Sequence, residues 1–556
     1  MFDCLTCNWA HHNKCLLARA GVLVLAGISC GLSWLVGRFR EHYFGKIQVT
    51  SSTTDTLILL EYLWVFFCGP IFAIYFVTLL VWPPWVRREL PVRPWVTEST
   101  RDNFKAAWKL RLRIVTRGNN PNLVATNCQD LQEVCESIGL HKEQYVIEVV
   151  TDVCVEFEKL SNVRLEEVVV PNAYRSKNDS KWKSRALHYA LETVNATPED
   201  WIVHLDEETK VDERCITAIW AHIMEEKRAV EKGERKYPDM GQGAMLYGGG
   251  KHGEIENWIT TLADSLRVCD DFGSFRAAFE LRNKFTFGMK GSFVVASQVV
   301  EELVSWDHGP SLSLTEDATF NMVALKEHHI GTAWIDAFMY EQSPFSMKDF
   351  AKQRQRWYVG LWMCLMSSKT RSKHMMIMPV KMVFWSSQLV VIFLHVCVLF
   401  TDVMPIHLEM CLFIYLCGFS ITFTPQDGVR RWLGLACLQV LFIPFFLYME
   451  FMGVLGGVRE IVTRNAGTNF HIVKKENVHN VQLKPEKADE SLNFPLLTAE
   501  SSDEVTKVPS SASSASSSSS DAADAKRQVP LLLAYPHSLK VPLLAADAGG
   551  NLIADI

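Results

Sequence analysis

Five stretches of this chain run for about the thickness of a membrane without a charge. Ala20–Gly37, Tyr62–Val86, Met382–Thr401, Met410–Gln426 and Trp432–Met449 lack Asp, Glu, Lys and Arg and are rich in Leu, Phe, Val and Ile. A spanning helix needs about 20 mainly apolar residues. The pattern therefore predicts spans over 16–37, 57–86, 379–401, 404–426 and 432–457. The last is expected as transmembrane or re-entrant, because Pro444 and Gly453–Gly457 can break a helix. The first run is long for a cleavable signal, lacks a small-residue cleavage site and is followed by a second span.

Between these blocks the period shortens. Leu112–Thr116, Tyr145–Thr151, Val168–Val170 and Trp201–Leu205 read as short buried strands, and Asn127–Ile138 and Lys183–Val194 as helices between them. Strands alternating with helices predict an α/β domain, over 105–368, with a parallel sheet covered on both faces. Ligands bind such sheets beyond the carboxyl ends of the strands. Thr116, Asp152 and Asp206 all fall there, which points to a nucleotide site. No G-x-G-x-x-G or P-loop motif accompanies them.

Charge adds orientation. Pro83–Arg117 holds nine basic residues against three acids, and Lys369, Arg371, Lys373 and Lys381 precede or open the third run. By the positive-inside rule both flanks of the α/β domain face the cytosol, as does an N-terminal segment 1–15 carrying Lys14; Arg38, Arg40 and Lys46 in the first hairpin point the other way. A net charge of −6 argues against a generally basic nucleic-acid binder. Fifteen scattered cysteines do not make a disulfide scaffold, and Cys4–Cys7 is a lone CxxC. Residues 478–556 include Ser510–Ser520, nine Ser and two Ala, a composition that predicts disorder.

Three acidic or basic clusters carry candidate chemistry. Asp206-Glu207-Glu208 follows a strand. Continued alternation puts Asp206 and Glu208 on one side, with Glu207 turned away. Their hard oxygens suit Mn²⁺ or Mg²⁺ bridging to a diphosphate, and an acidic surface turn is the plain alternative. Thr315-Glu316-Asp317 opens a helical run. Thr315 fits a cap, and Asp317 fits a base that takes a proton from an acceptor hydroxyl. In Gln353-Arg354-Gln355-Arg356-Trp357, Gln353 and Arg356 share a helix face near Trp357, and an arginine fork beside a diphosphate is apt.

Together these clusters resemble the glycosyltransferase family 2 pattern: a strand-end Asp (Asp152), a D-x-D metal motif ending here in Glu, a T-E-D base motif and Q-x-x-R-W. Lys183-Ser184-Arg185-Ala186-Leu187 resembles the family's K-x-x-A-L segment near the diphosphate. IVTRGNNPNLVATN, EVVTD, VVVPNAYRS, KSRALHYALE, WIVHLDEET, NWITTLADSLRV, MKGSFVV and MYEQSPFSMKDFAKQRQRW are similar to the egghead-type β-1,4-mannosyltransferases of invertebrates over residues 112–360. The resemblance implies a GT-A fold with multi-pass transmembrane helices in a Golgi or endoplasmic reticulum membrane. It implies inverting transfer of mannose from GDP-mannose to glucosylceramide, a membrane lipid. Thr116, Asp152, Lys183 and Asp206 would bind donor, Asp206 and Glu208 the metal, and Asp317, Arg356, Gln353 and Trp357 would act in transfer. Phe470–Lys475 loosely resembles the F-x-V-T-x-K gating segment of polysaccharide synthases, with Val473 in the Thr position. A processive family 2 synthase using a UDP-sugar is the alternative enzyme. A membrane pseudoenzyme or scaffold would be expected to lose Asp317 or the metal acids, which this chain keeps.

Overall fold

The computed structural model describes residues 9–44, 51–90, 108–248, 255, 257–282, 288–375, 377–387, 390 and 406–463. Cys4–Cys7, nearly all of the third apolar run beyond Ser387, Phe470–Lys475 and the Ser-rich tail lie outside them.

Two long apolar helices come first, α1 (Trp9–Phe44) and α2 (Ser51–Val81). The alternating half follows: β1 (Leu110–Thr116), α3 (Pro121–Ser137), β2 (Tyr145–Thr151), α4 (Phe157–Ser161), β3 (Glu166–Val169), α5 (Trp182–Thr193) and β4 (Trp201–Asp206). Next come β5 (Lys210–Val211), α6 (Glu213–Glu231), β6 (Met240–Tyr247), α7 (Trp258–Ala263), α8 (Ser265–Asp270) and α9 (Arg276–Glu280). Then β7 (Val294–Ser297), α10 (Gln298–Val304), α11 (Glu316–His328), β8 (Thr332–Glu341) and α12 (Met347–Met366) complete the domain. Apolar helices return as α13 (Ile377–Ser386), α14 (Ile406–Thr422) and α15 (Val429–Val462).

Among the described residues the strands form one eight-stranded sheet in the order β3-β2-β1-β4-β7-β6-β8-β5. The expected parallel pairing holds across β3-β2-β1-β4 and again between β6 and β8. Strand β7 runs antiparallel to both β4 and β6, so the sheet is mixed. The reversal has a consequence for the site. An antiparallel strand begins where its neighbours end, so the Gly291-Ser292 turn before β7 arrives beside the carboxyl end of β4.

Strand β1 starts two residues earlier than its apolar run. Leu110, Leu112 and Ile114 face one layer, packed in the same core as Val124 and Cys128 of α3. Arg111 and Arg113 face the other and are buried. Arg113 Nε donates to Glu148 at 2.7 Å and its NH1 to Glu301 at 3.1 Å, while Arg111 Nε donates to Asp200 at 2.8 Å. Buried charges persist only when paired in this way, so an ionic layer stands where an apolar face was expected.

Helix α15 runs unbroken through Pro444 and the glycines, 34 residues in all. The glycines instead permit close packing on α12. A Cβ on Gly453 would lie 2.5 Å from Arg354 Cβ, and one on Gly457 2.6 Å from Tyr358 Cδ1. Helix α14 has 17 residues, and Met410 through Phe419 are almost continuously buried among protein elements.

Candidate active site

A cavity of about 610 Å³ lies beyond the carboxyl ends of β1, β2 and β4. The parallel register sets its rim, with Thr116 opposite Thr151 and Val115 opposite Asp206. Thr116, Asp152, Lys183, Asp206, Glu208, Asp317, Gln353, Arg356 and Trp357 all line it, so the site residues expected from sequence are brought together.

The first wall is built by the loops after these strands. Strand β4 ends at Asp206, where the backbone N–H of Thr209 donates to Asp206 O at 3.1 Å and closes a turn. Strand alternation stops there, so Glu207 does not turn away as expected. Its carboxylate accepts from Thr116 Oγ1 at 2.8 Å and Asn120 Nδ2 at 3.0 Å, and it lines the cavity. Asp206 accepts from Ser292 Oγ at 2.9 Å and pairs with Lys183 Nζ. Asp152 is held by Arg185 at 2.5 Å. Arg185 lies in the quoted Lys183–Leu187 segment, but sequence reasoning gave it no role.

Across the cavity, Glu316 and Asp317 form the first turn of α11. Thr315 is buried but makes no side-chain cap; its hydroxyl lies 3.5 Å from Cys364 Sγ. Asp317 Oδ1 accepts from the backbone N–H of Ala318 at 2.7 Å, and Lys183 Nζ stands 4.0 Å from Glu316 Oε1. Burial raises both carboxyls above the usual range, outweighing the lysine and the helix N-terminus. Glu316 is pushed up to about 7, by burial and then by its neighbour Asp317.

Helix α12 supplies the third wall with Gln353, Arg356 and Trp357. Arg267 stacks over the Trp357 ring at 4.1 Å and over Tyr247 at 4.6 Å. The cavity continues to Tyr75 of α2, Phe384 and Trp385 of α13, and Glu450 of α15. No sequence signal pointed to these four, because each sits within or beside an apolar run.

The donor set suits a hard divalent cation. Asp206 and Glu208 bring carboxylates to one wall, and an ammonium is already drawn onto Asp206. Among the described residues, no three such side chains converge as a ready-made cage.

Residues 201–449 match the family model described as "Glycosyl transferase family group 2". This region is similar to family 2 glycosyl transferase domains. With its mixed sheet and flanking helices the domain is GT-A-like. "Beta-1,4-mannosyltransferase bre-3" of Caenorhabditis briggsae is 42% identical over 277 residues, 50% of this chain and 57% of the relative. "Beta-1,4-mannosyltransferase egh" of Drosophila melanogaster is 39% identical over 276 residues, 49% and 56% respectively. The chain thus spans little more than half the length of the relatives it matches. A mannosyltransferase from Pyrobaculum calidifontis, solved with GDP-Man and Mn²⁺, aligns over 72% of this chain and 99% of its own at 9% identity, with a TM-score of 0.39. That likeness is too loose to argue from.

Proposed function

We propose that the chain is a membrane-embedded, inverting β-1,4-mannosyltransferase that moves mannose from GDP-mannose to glucosylceramide. One observation carries the reading. A single cavity joins the carboxyl ends of the parallel strands, a buried acid pair and the apolar helices. Donor, base and lipid-linked acceptor can therefore meet in it. The sugar rests on the β-1,4-mannosyltransferase relatives, and the donor nucleotide and lipid acceptor on the egghead-type resemblance.

In this reading Thr116 and Asp152 face the nucleoside and Lys183 the diphosphate. Asp206 and Glu208 would hold Mn²⁺ or Mg²⁺, which neutralises diphosphate charge when bound. Asp317 takes the proton of the acceptor hydroxyl. That oxygen attacks C1 of mannose as the bond from C1 to the phosphate oxygen breaks on the opposite face, so GDP departs and the anomeric centre inverts. Arg356, with Gln353 and Trp357, steadies the departing GDP and seats the acceptor.

The membrane supplies the acceptor. Lys14–Leu35, Ile58–Val81 and Val429–Val462 are long and apolar enough to cross a bilayer. Leu17, Leu23, Phe66, Phe67 and Leu441 are exposed on them, an outward apolar surface suited to lipid. The basic flanks support a cytosol-facing catalytic domain, and the Golgi or endoplasmic reticulum membrane rests on the egghead-type resemblance.

A donor screen on membranes tests the proposal, with GDP-mannose, UDP-glucose and UDP-N-acetylglucosamine offered beside short-chain glucosylceramide. One hexose added from GDP-mannose supports it. A ladder built from a UDP-sugar would establish the processive synthase instead.

A further inference from the structure

The Gln353–Trp357 stretch is held in place by a buried side chain at the cavity's edge to which its motif gives no role. Arg354 is 1% exposed. Its Nε donates to Glu450 Oε1 at 2.7 Å, its NH2 pairs with the Asp264 carboxylate, and its NH1 donates to Gln353 Oε1 at 3.0 Å. The guanidinium carbon lies 4.7 Å from the centre of the Trp357 ring. One group therefore touches two of the three α12 residues, Gln353, Arg356 and Trp357, assigned to transfer. It also bonds two buried acids on other elements: Asp264 at the junction of α7 and α8, and Glu450 in the middle of α15.

Three buried charges in one place are costly unless fully paired, and their best-attested use is to fix one arrangement among several packings. Shape enforces the same registry here. Gly453, one turn beyond Glu450, admits the Arg354 stem at a distance that no side chain would allow. Further along the two helices, Gln355 Nε2 donates to Glu460 Oε2 at 2.7 Å.

We propose that Arg354, Asp264 and Glu450 are positioning residues for the transfer, through which the long apolar helix α15 sets the placement of Gln353 and Trp357. The inference rests on the function proposed above, since it presumes that α12 acts in transfer. Asp264 lies outside the cavity lining, while Arg354 and Glu450 border it, and the role proposed for all three is placement and not contact with substrate. A shift of α15 along or across α12 would move Gln353 and Trp357 with it, so the placement of the membrane block becomes part of the active-site geometry.

The full chain in lipid nanodiscs tests this with two variants. Glu450→Gln keeps the size and leaves Arg354 paired with Asp264. Arg354→Lys keeps the charge and loses the fork. Each is assayed with whichever donor the wild type uses, and counted by its GDP-binding sites so that misfolded molecules drop out. Expected are a fall in kcat of tenfold or more, donor KM and GDP affinity within about twofold of wild type, and faster hydrogen exchange confined to the α12 amides. Wild-type kcat per GDP site would overturn the proposal. So would kcat, KM and GDP affinity deteriorating together with exchange rising across the whole domain, the pattern of simple destabilisation. Wild-type turnover with a donor other than GDP-mannose would sink the sugar assignment but not this inference. With no turnover on any donor the functional reading fails. The exchange arm then decides alone, and unchanged protection of α12 in Glu450→Gln contradicts the positioning role.

Discussion

Glu316 and Asp317 are neighbours in one helical turn, and the account gives them different work. Asp317 is assigned the acceptor proton. Asp317→Asn keeps the size and much of the hydrogen bonding but cannot take that proton. The folded variant should still bind GDP-mannose and transfer about 10²-fold or more slowly; near-normal turnover would pass the base to Glu316. Glu316 is raised to about 7 by burial and by Asp317. Its proton is held more tightly in the folded than in the unfolded chain, so it stabilises below its ordinary range and that contribution is lost as pH rises towards 7. Glu316→Gln should therefore stabilise the fold at pH 8, by about 1–3 kcal/mol, and change it little at pH 4, a difference that scanning calorimetry in detergent reads as a raised thermal midpoint at pH 8 alone. Activity should have an acid limb above the usual carboxylate range, since the base must be ionised. The Thr-Glu-Asp and Gln-x-x-Arg-Trp residues were legible in sequence because chemistry and spacing mark them. Glu207 was misread, because alternation was carried one residue past the end of β4. Glu207→Ala should loosen the Thr116–Asn120 loop and weaken GDP binding measurably by calorimetry, whereas a residue turned away would leave it unchanged.

At the scale of elements, the strands flanking the nucleotide side were readable because β2 and β4 are nearly continuous apolar runs. Strand β1 was clipped at Leu112 since arginines do not look like core. What buries them is Glu148, Asp200 and Glu301 on other elements, a long-range pairing that local periodicity does not carry. Arg113→Met removes one partner from a fully buried cluster and leaves Glu148 and Glu301 short of a cation. We expect about 3–5 kcal/mol of destabilisation, visible as a lowered unfolding midpoint, whereas a solvent-facing arginine would cost almost nothing. The reversed β7 was equally hidden. Four residues without a distinctive turn signal do not announce their direction, yet that direction brings Gly291 and Ser292 to the metal-side acids. Helix α15 was expected as either a spanning or a re-entrant helix, with a break possible at its proline and glycines. It stays whole, with those glycines forming its contact face on α12.

For the whole molecule, the sequence revealed apolar blocks around an α/β domain but not that the two share a cavity, because Tyr75, Trp385 and Glu450 approach the site only through tertiary packing. The cytosolic placement is testable at Asn178 and Asn195, which head formal glycosylation sequons, with Asn195 exposed in the structure. Digestion with an N-glycosidase should leave the mobility of the expressed protein unchanged, and a shift would put the catalytic domain in the lumen. The central claim is inverting mannosyl transfer at the Asp317 cavity, and the anomeric form of the product tests it most directly. GDP-mannose has an α-linked sugar, so in-line attack must yield a β-mannoside. Purified protein given GDP-mannose and short-chain glucosylceramide should yield a product one hexose larger. That product should be cleaved by β-mannosidase and resist α-mannosidase, and it should form about 10²-fold or more slowly with Asp317→Asn. An α-linked product, or a β-linked one formed as well by Asp317→Asn, would contradict the account.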